Sequence, residues 1–229
     1  MPALPLPPIP TPADIDAAAA RIAPHVLETP LWRVPSAALG LPAGTPAFEV
    51  WLKLEHLQRG GSFKARGMFN RLLANRLPAA GAIVASGGNA GIATAVAARA
   101  LGVPAEVFVP EVCPAPKRER LAALGARVVV GGAAYADALQ ACIARLRETG
   151  ALMTHAYDQP EVVAGAGTLA RELEAQLALP PASQPGRPRA RRPRRARRAR
   201  GRPRRSRCRR CRPRRRSRRP SGSGSRAGG

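Results

Sequence analysis

Charge and apolar residues divide this chain at residue 180. All 14 acidic residues lie before that point, alongside 16 basic ones, so residues 1–179 are close to neutral. From Pro180 onward there are 22 arginines, no acid, and no Leu, Ile, Val, Met, Phe, Trp or Tyr. A segment of that kind has no apolar surface to set against the entropy of ordering its backbone, roughly 1–2 kcal/mol per residue. Residues 1–179 are therefore expected to form one folded body, and residues 180–229 a disordered Arg-rich tail.

Several function classes fall away. Met1-Pro2-Ala3-Leu4-Pro5-Leu6-Pro7-Pro8 has neither the basic start nor the unbroken apolar core of a secretory signal. The uncharged run from Leu77 to Ala98 has membrane-spanning length, but Ser86-Gly87-Gly88-Asn89 interrupts its centre, which argues against a membrane helix. Cys113 and Cys142 sit in apolar segments and read as buried free thiols. Cys208 and Cys211 form a lone CxxC with no second ligand pair, and His25, His56 and His155 have no spaced partners, so no metal site is expected. The expected location is cytoplasmic.

Thr11-Pro12-Ala13-Asp14 is a helix start: a hydroxyl cap, proline at the first helical position and an acid at the positive end of the dipole. That helix stops before Pro24. Extended stretches follow at 31–34 and 48–54, and a helix begins near Ser62, with Phe63, Ala65, Met68, Phe69 and Leu72 as its spaced apolar positions. From Gly81 the order becomes regular. Strands at 82–85, 105–109, 127–130 and 151–154 alternate with helices at 89–101, 117–124 and 135–149, which are closed by Gly102, Gly125 and Gly150. The strands are short, apolar and unalternating, as in a parallel sheet covered on both faces. The expected fold class is α/β, a doubly wound parallel sheet with right-handed crossovers.

Ligands of an open parallel sheet bind beyond the carboxyl ends of its strands. The first such end is Ser86-Gly87-Gly88-Asn89-Ala90-Gly91, which runs into a helix whose N–H groups could hold a carboxylate or phosphate. The same residues also suit a plain turn with Asn89 as helix cap. Lys64 stands in Gly60-Gly61-Ser62-Phe63-Lys64-Ala65-Arg66-Gly67, in a body with 13 arginines and only 3 lysines. A lysine amine can lose its proton, attack an aldehyde and form a Schiff base, which a guanidinium cannot do. An exposed lysine at a helix start fits the spacing too. Gly165-Ala166-Gly167-Thr168 has no strand before it, so it reads as a turn starting a helix that carries Leu169, Leu173 and Leu177, rather than as a dinucleotide fingerprint.

Taken in order, three segments resemble the fold-type II pyridoxal-phosphate enzymes, in particular the serine/threonine dehydratases. They are Lys53-Leu54-Glu55-His56-Leu57-Gln58, then Gly61-Ser62-Phe63-Lys64-Ala65-Arg66-Gly67, then Ser86-Gly87-Gly88-Asn89-Ala90-Gly91. Gly102-Val103-Pro104, Gly125-Ala126, His155-Ala156-Tyr157-Asp158 and Ala164-Gly165-Ala166-Gly167-Thr168 support them, the last departing from the family's usual Gln at position 166. The resemblance runs co-linearly over about residues 12–179.

It implies pyridoxal 5'-phosphate as cofactor and Lys64 as the catalytic lysine that bonds the cofactor aldehyde. Phe63 would pack beside the ring, and Asn89 would bond the cofactor's phenolic oxygen. Ser62 and the run Ser86, Gly87, Gly88, Asn89, Ala90, Gly91 would hold the carboxylate of a small hydroxy amino acid. The implied reaction is loss of water from that substrate, giving a 2-oxo acid and ammonia. Gly87 favours a dehydratase over racemases, which tend to carry a hydroxyl there, and Ser-Phe-Lys favours it over cysteine synthases. Residues 80–157 would be the smaller βαβαβαβ subdomain, with 12–79 and 158–179 belonging to the larger one, and the complete protein would be a homodimer.

The family continues beyond this point into strands bearing a Gly-rich phosphate loop and a polar partner for the pyridine nitrogen. Here the sequence runs instead into Pro180-Pro181-Ala182-Ser183 and arginine runs. The expectation is a body truncated relative to the family, with exposed apolar surface and impaired activity. One account of the tail is a basic arm holding nucleic acid through its phosphates, without sequence preference. It has no aromatic residue for base stacking. The favoured account is a shifted reading frame, in which GGC glycine codons are read as CGG arginine codons.

Overall fold

The computed structural model describes residues 8–42 and 44–178. The expectations made for the tail (its disorder, its nucleic-acid binding, Cys208 and Cys211, and the shifted frame) lie outside the described residues.

Helix α1 spans Pro12–Ile22 and starts as its sequence dictates. The Thr11 hydroxyl accepts from Asp14 N at 3.3 Å while the Asp14 carboxylate accepts from Thr11 N at 2.8 Å. Hydrogen bonds donated by the Thr11 hydroxyl, at 2.6 Å, and by Thr11 N hold the Asp14 carboxyl below its usual range. Strands β1 (Leu31–Pro35) and β2 (Glu49–Lys53) pair antiparallel, with Trp32 opposite Leu52. Two short 3-10 turns, Glu55–Leu57 and Arg59–Gly61, lead to α2 (Lys64–Leu73).

The alternating unit follows as expected: β3 (Ala82–Ala85), α3 (Asn89–Ala100), β4 (Ala105–Val109), α4 (Ala115–Ala123), β5 (Arg127–Val130), α5 (Tyr135–Thr149) and β6 (Leu152–Met153). Helix α4 opens two residues earlier than expected, with Pro114 at the cap position and Pro116 in the first turn, where a proline's missing N–H costs no helical bond. All four strands are parallel, in the order β5-β4-β3-β6. Side chains alternate between the two faces. Ala82 and Val84 enter the larger core with α2 and α3, whereas Ile83 and Ala85 meet Ala138 and Cys142 of α5. Helices on both faces make this a doubly wound α/β layer. None of the helices among the described residues is long and apolar enough to cross a membrane.

One expectation fails at the last element. Helix α6 spans Pro160–Ala178, so Gly165 and Gly167 lie inside a helix and not in a turn that starts one. The reason is the crossing of α2 and α6. A Cβ on Gly165 would lie 2.5 Å from Arg66 O and 2.8 Å from Gly67 Cα, and one on Gly67 would lie 2.7 Å from Val162 O. Glycine is used on both helices so that their backbones can touch.

Candidate active site

The strand order marks the place where sheets of this kind take their ligands. From β3 the chain steps to β4 and β5 on one side, then returns to place β6 on the other side of β3. The crevice beyond the carboxyl ends of β3 and β6 is the reversal point where such sheets take their ligands. Three segments reach it.

The first is the turn after β3. Gly88 N donates to Ser86 Oγ at 3.3 Å, and α3 then begins at Asn89. Asn89 does not cap the helix: the cap position is Gly88, no side chain satisfies the first N–H groups, and Asn89 stands exposed. The positive end of α3 therefore faces the crevice without an internal partner. The glycines divide by role. A Cβ on Gly91 would fall 1.9 Å from Ser86 O, and one on Gly87 would fall 2.6 Å from Cys113 Sγ, so both serve close packing. Gly88 has only Ser86 Oγ near it, at 3.9 Å, and leaves open space. Ala90 is buried in the first turn of α3.

The second segment follows β6. Thr154 Oγ1 lies 2.9 Å from Thr94 Oγ1 of α3, a buried hydroxyl pair that ties this strand end to the helix. Gln159 shapes the loop beyond: its Oε1 accepts from His155 N at 2.8 Å and its Nε2 donates to Met153 O at 3.2 Å. The ring of His155 stands edge-on to Tyr157 at 4.6 Å. Asp158 takes a left-handed φ of 61° in the same loop.

The third segment brings the lysine. Lys64, the first residue of α2, is half-buried and its Nζ donates to Ala156 O at 2.6 Å, across 92 residues of sequence. The amine also lies 4.9 Å from the centre of the Phe63 ring, and that ring is itself 38% exposed. Ser62 is buried just before it, and a Cβ on Gly60 would lie 3.3 Å from Ile92 of α3, so this loop leans on the helix that faces the crevice. The structure thus gathers Phe63, Lys64 and the loop after β6, with the Ser86–Gly91 turn on the adjoining strand. His25 is removed from all of this and stacks on Phe69 at 5.3 Å.

Sequence reasoning quoted Lys53, Glu55 and Arg66 without giving them a role, and it missed Glu172 and Gln176. Arg66 is 1% exposed; it forks onto Glu55 at 2.9 and 2.7 Å and reaches Glu172 at 2.7 Å. Lys53 Nζ donates to Glu172, to Gln176 Oε1 at 2.8 Å and to Thr29 O at 2.6 Å. Burial pushes the Glu172 carboxyl up, but the hydrogen bonds from Arg66 and Lys53 outweigh it and hold that carboxyl below its usual range. The available signal was the scarcity of lysine, which marks Lys53 as well as Lys64. Among the described residues no group of His, Cys, Asp and Glu is placed to hold a metal ion.

The sequence matches the family described as pyridoxal-phosphate dependent enzyme over residues 22–184. A biosynthetic L-threonine dehydratase of Mycobacterium tuberculosis is 41% identical over 170 residues, covering 72% of this chain and 38% of that protein. The chain thus spans well under half the length of that relative. Among solved structures, a T.th. threonine deaminase superimposes with a TM-score of 0.66 at 40% identity, covering 73% of this chain and 52% of its own. A maize serine racemase superimposes with a TM-score of 0.68 at 30% identity, covering 74% and 51%.

Proposed function

This chain belongs to the pyridoxal-phosphate dependent enzyme family, and on that premise we propose that it carries the reactive-lysine part of a serine/threonine dehydratase-type ammonia-lyase. The observation that supports this most directly is the position of the Lys64 amine at the reversal point of the sheet, bonded to Ala156 O. The threonine dehydratase and threonine deaminase among its relatives point the same way. Residues at the crevice fit the aldehyde and ring end of the cofactor: a primary amine, an aromatic face beside it, and the exposed Asn89 amide suited to a phenolic oxygen.

Pyridoxal phosphate, when bound through the Lys64 amine, supplies an electron sink for negative charge at the substrate α-carbon. The remaining work belongs to the chain. The N–H groups of the Ser86–Gly91 turn, at the positive end of α3, hold the substrate carboxylate, and Ser62 lies on the adjoining loop. Once the incoming substrate amine has taken its place on the cofactor, the freed Lys64 Nζ would take the α-proton as general base. Loss of the β-hydroxyl as water, followed by hydrolysis, gives a 2-oxo acid and ammonia. Position 87 offers no hydroxyl to return a proton on the opposite face, which favours elimination over racemisation.

The test mixes the purified chain with pyridoxal phosphate and follows the visible absorption of lysine-bound cofactor, then 2-oxo acid formation from serine and threonine. Lys64→Ala should lose the visible band. An unchanged spectrum in that variant refutes the role of Lys64. The arginine content of residues 180–229 supports a separate reading, sequence-independent binding of nucleic-acid phosphates. Under that reading, deleting residues 180–229 abolishes retention on DNA at low salt, and retention by the shortened chain overturns it.

A further inference from the structure

Helix α2 carries Lys64 in its first turn, which short backbone bonds close (Ala65 N to Ser62 O at 3.3 Å, Arg66 N to Phe63 O at 3.0 Å) but no side chain caps. Its cap position is Phe63, which takes a helical conformation and offers no side-chain hydrogen bond. The loop before it passes through Gly60 and Gly61, both at left-handed φ (75° and 82°), and then through an extended Ser62. A loop rich in glycine entering an uncapped helix should fray.

Two buried side chains close it instead. Gln58 is 3% exposed and spends its amide on fixed backbone: Oε1 accepts from Leu27 N at 2.9 Å and Arg59 N at 3.0 Å, and Nε2 donates to Leu27 O at 2.7 Å. This anchors the start of the loop. Arg66, two residues past Lys64, anchors its end through the fork onto Glu55 and the bond to Glu172. Glu55 is held in turn by the Thr29 hydroxyl at 2.6 Å, and Glu172 by Lys53. The two cations and two carboxylates balance.

We propose that the buried Arg66–Glu55 pair, backed by Glu172 and Lys53, is the device that positions Lys64 at the crevice. Arg66 and Glu55 are positioning residues, and this role rests on the reading of Lys64 as the reactive lysine. A buried ion pair is weak as a source of stability, since apolar residues of similar volume commonly replace one at little or no loss. What it supplies is a fixed geometry. A planar guanidinium forked onto a carboxylate sets direction as well as distance, and direction is what a reacting amine needs.

The experiment uses the three lysines of the chain, Lys53, Lys64 and Lys117, as its own controls. The full chain is exposed to pyridoxal phosphate, reduced with borohydride and mapped by peptide mass, so that the fraction trapped at each lysine is read directly. Wild type should trap Lys64 far ahead of exposed Lys117. Absence of trapping at Lys64 in wild type would sink the reactive-lysine reading itself. The paired change Glu55→Leu with Arg66→Met removes one charge of each sign and leaves Lys53 bonded to Glu172. It should keep its far-ultraviolet spectrum and melting curve while trapping at Lys64, relative to Lys117, drops roughly tenfold or more. A folded double variant with wild-type trapping overturns the proposal. If that variant does not fold, Arg66→Lys keeps the charge but loses the fork, and wild-type trapping there overturns it equally. Hydrogen exchange on the unaltered chain needs no variant at all. Amides 65 and 66, bonded to Ser62 O and Phe63 O, should exchange as slowly as those of Met68–Leu72, and rapid exchange at these two refutes the clamp.

Discussion

Replacing Gly165 with alanine isolates the crossing of α2 and α6. The new methyl would meet Arg66 O at 2.5 Å, Asn70 Cβ at 2.7 Å and Gly67 Cα at 2.8 Å. None of these atoms can turn away by a change of rotamer, so the helices must move apart. Alanine returns about 1 kcal/mol of helix propensity. Overpacking costs typically about 1–3 kcal/mol, with the upper end fitting a contact made against backbone. The net expectation is a loss of about 2 kcal/mol, or roughly 4–8 °C in melting temperature for a body of this size. Gly167→Ala is the control. It gains the same propensity but meets Ile15 side-chain atoms at 2.9 and 3.0 Å, and those can rotate. Its stability should stay within about 0.5 kcal/mol of wild type. Urea unfolding of both variants, followed by circular dichroism, reads the difference. Equal stabilities for the two variants, or a Gly165→Ala chain at least as stable as wild type, would refute the close-approach reasoning.

Position 87 provides a second check. The Cβ of Gly87→Ser would lie 2.6 Å from Cys113 Sγ and 3.3 Å from Val109 Cγ1, so the substitution should cost about 1–3 kcal/mol. Cys113→Ala should recover most of that, with a coupling of at least about 1 kcal/mol in a double-mutant cycle; simple additivity would contradict the contact. Burial of Cys142 pushes its thiol from an ordinary 9.0 up to about 11. The unfolded chain then releases this proton before the folded one does, so the stabilisation is complete below pH 9 and is lost as pH rises toward about 11. Urea midpoints at pH 8 and pH 10 should diverge less in Cys142→Ala than in wild type, and equal divergence would be the contrary result.

The order of elements was legible because its signals are local. Gly102, Gly125 and Gly150 sit at left-handed φ just past their helices, and the apolar runs between them are long enough only for strands. What escaped was set by register between distant segments. Gly165 and Gly167 carry the signature of a turn, and only the approach of α2 shows that they make room for another backbone. Asn89 looked like a cap from its place before a helix, but the chain places it one residue inside. For the candidate site, the motif residues around Lys64 and Ser86 were visible in sequence. Their meeting point was not, because Ala156 offers its carbonyl and not its side chain. Arg66 and Glu172 are similarly silent, since nothing in either neighbourhood names the other as its partner.

The long reach of the charge network has a consequence for how this chain is made. Lys53 is synthesised 119 residues before Glu172, its carboxylate partner. Until that residue has left the ribosome, the segment holding Lys53, Glu55 and Arg66 has two cations for one carboxylate, and sealing it from water would strand a charge. The nascent chain can wind its parallel sheet as each strand and helix emerges. It has a strong electrostatic reason to leave the pocket around Arg66 wet until α6 arrives. Vectorial synthesis would then make the helix translated last among the described residues the one that dries the interior, and the lysine crevice would take its final shape only at that moment.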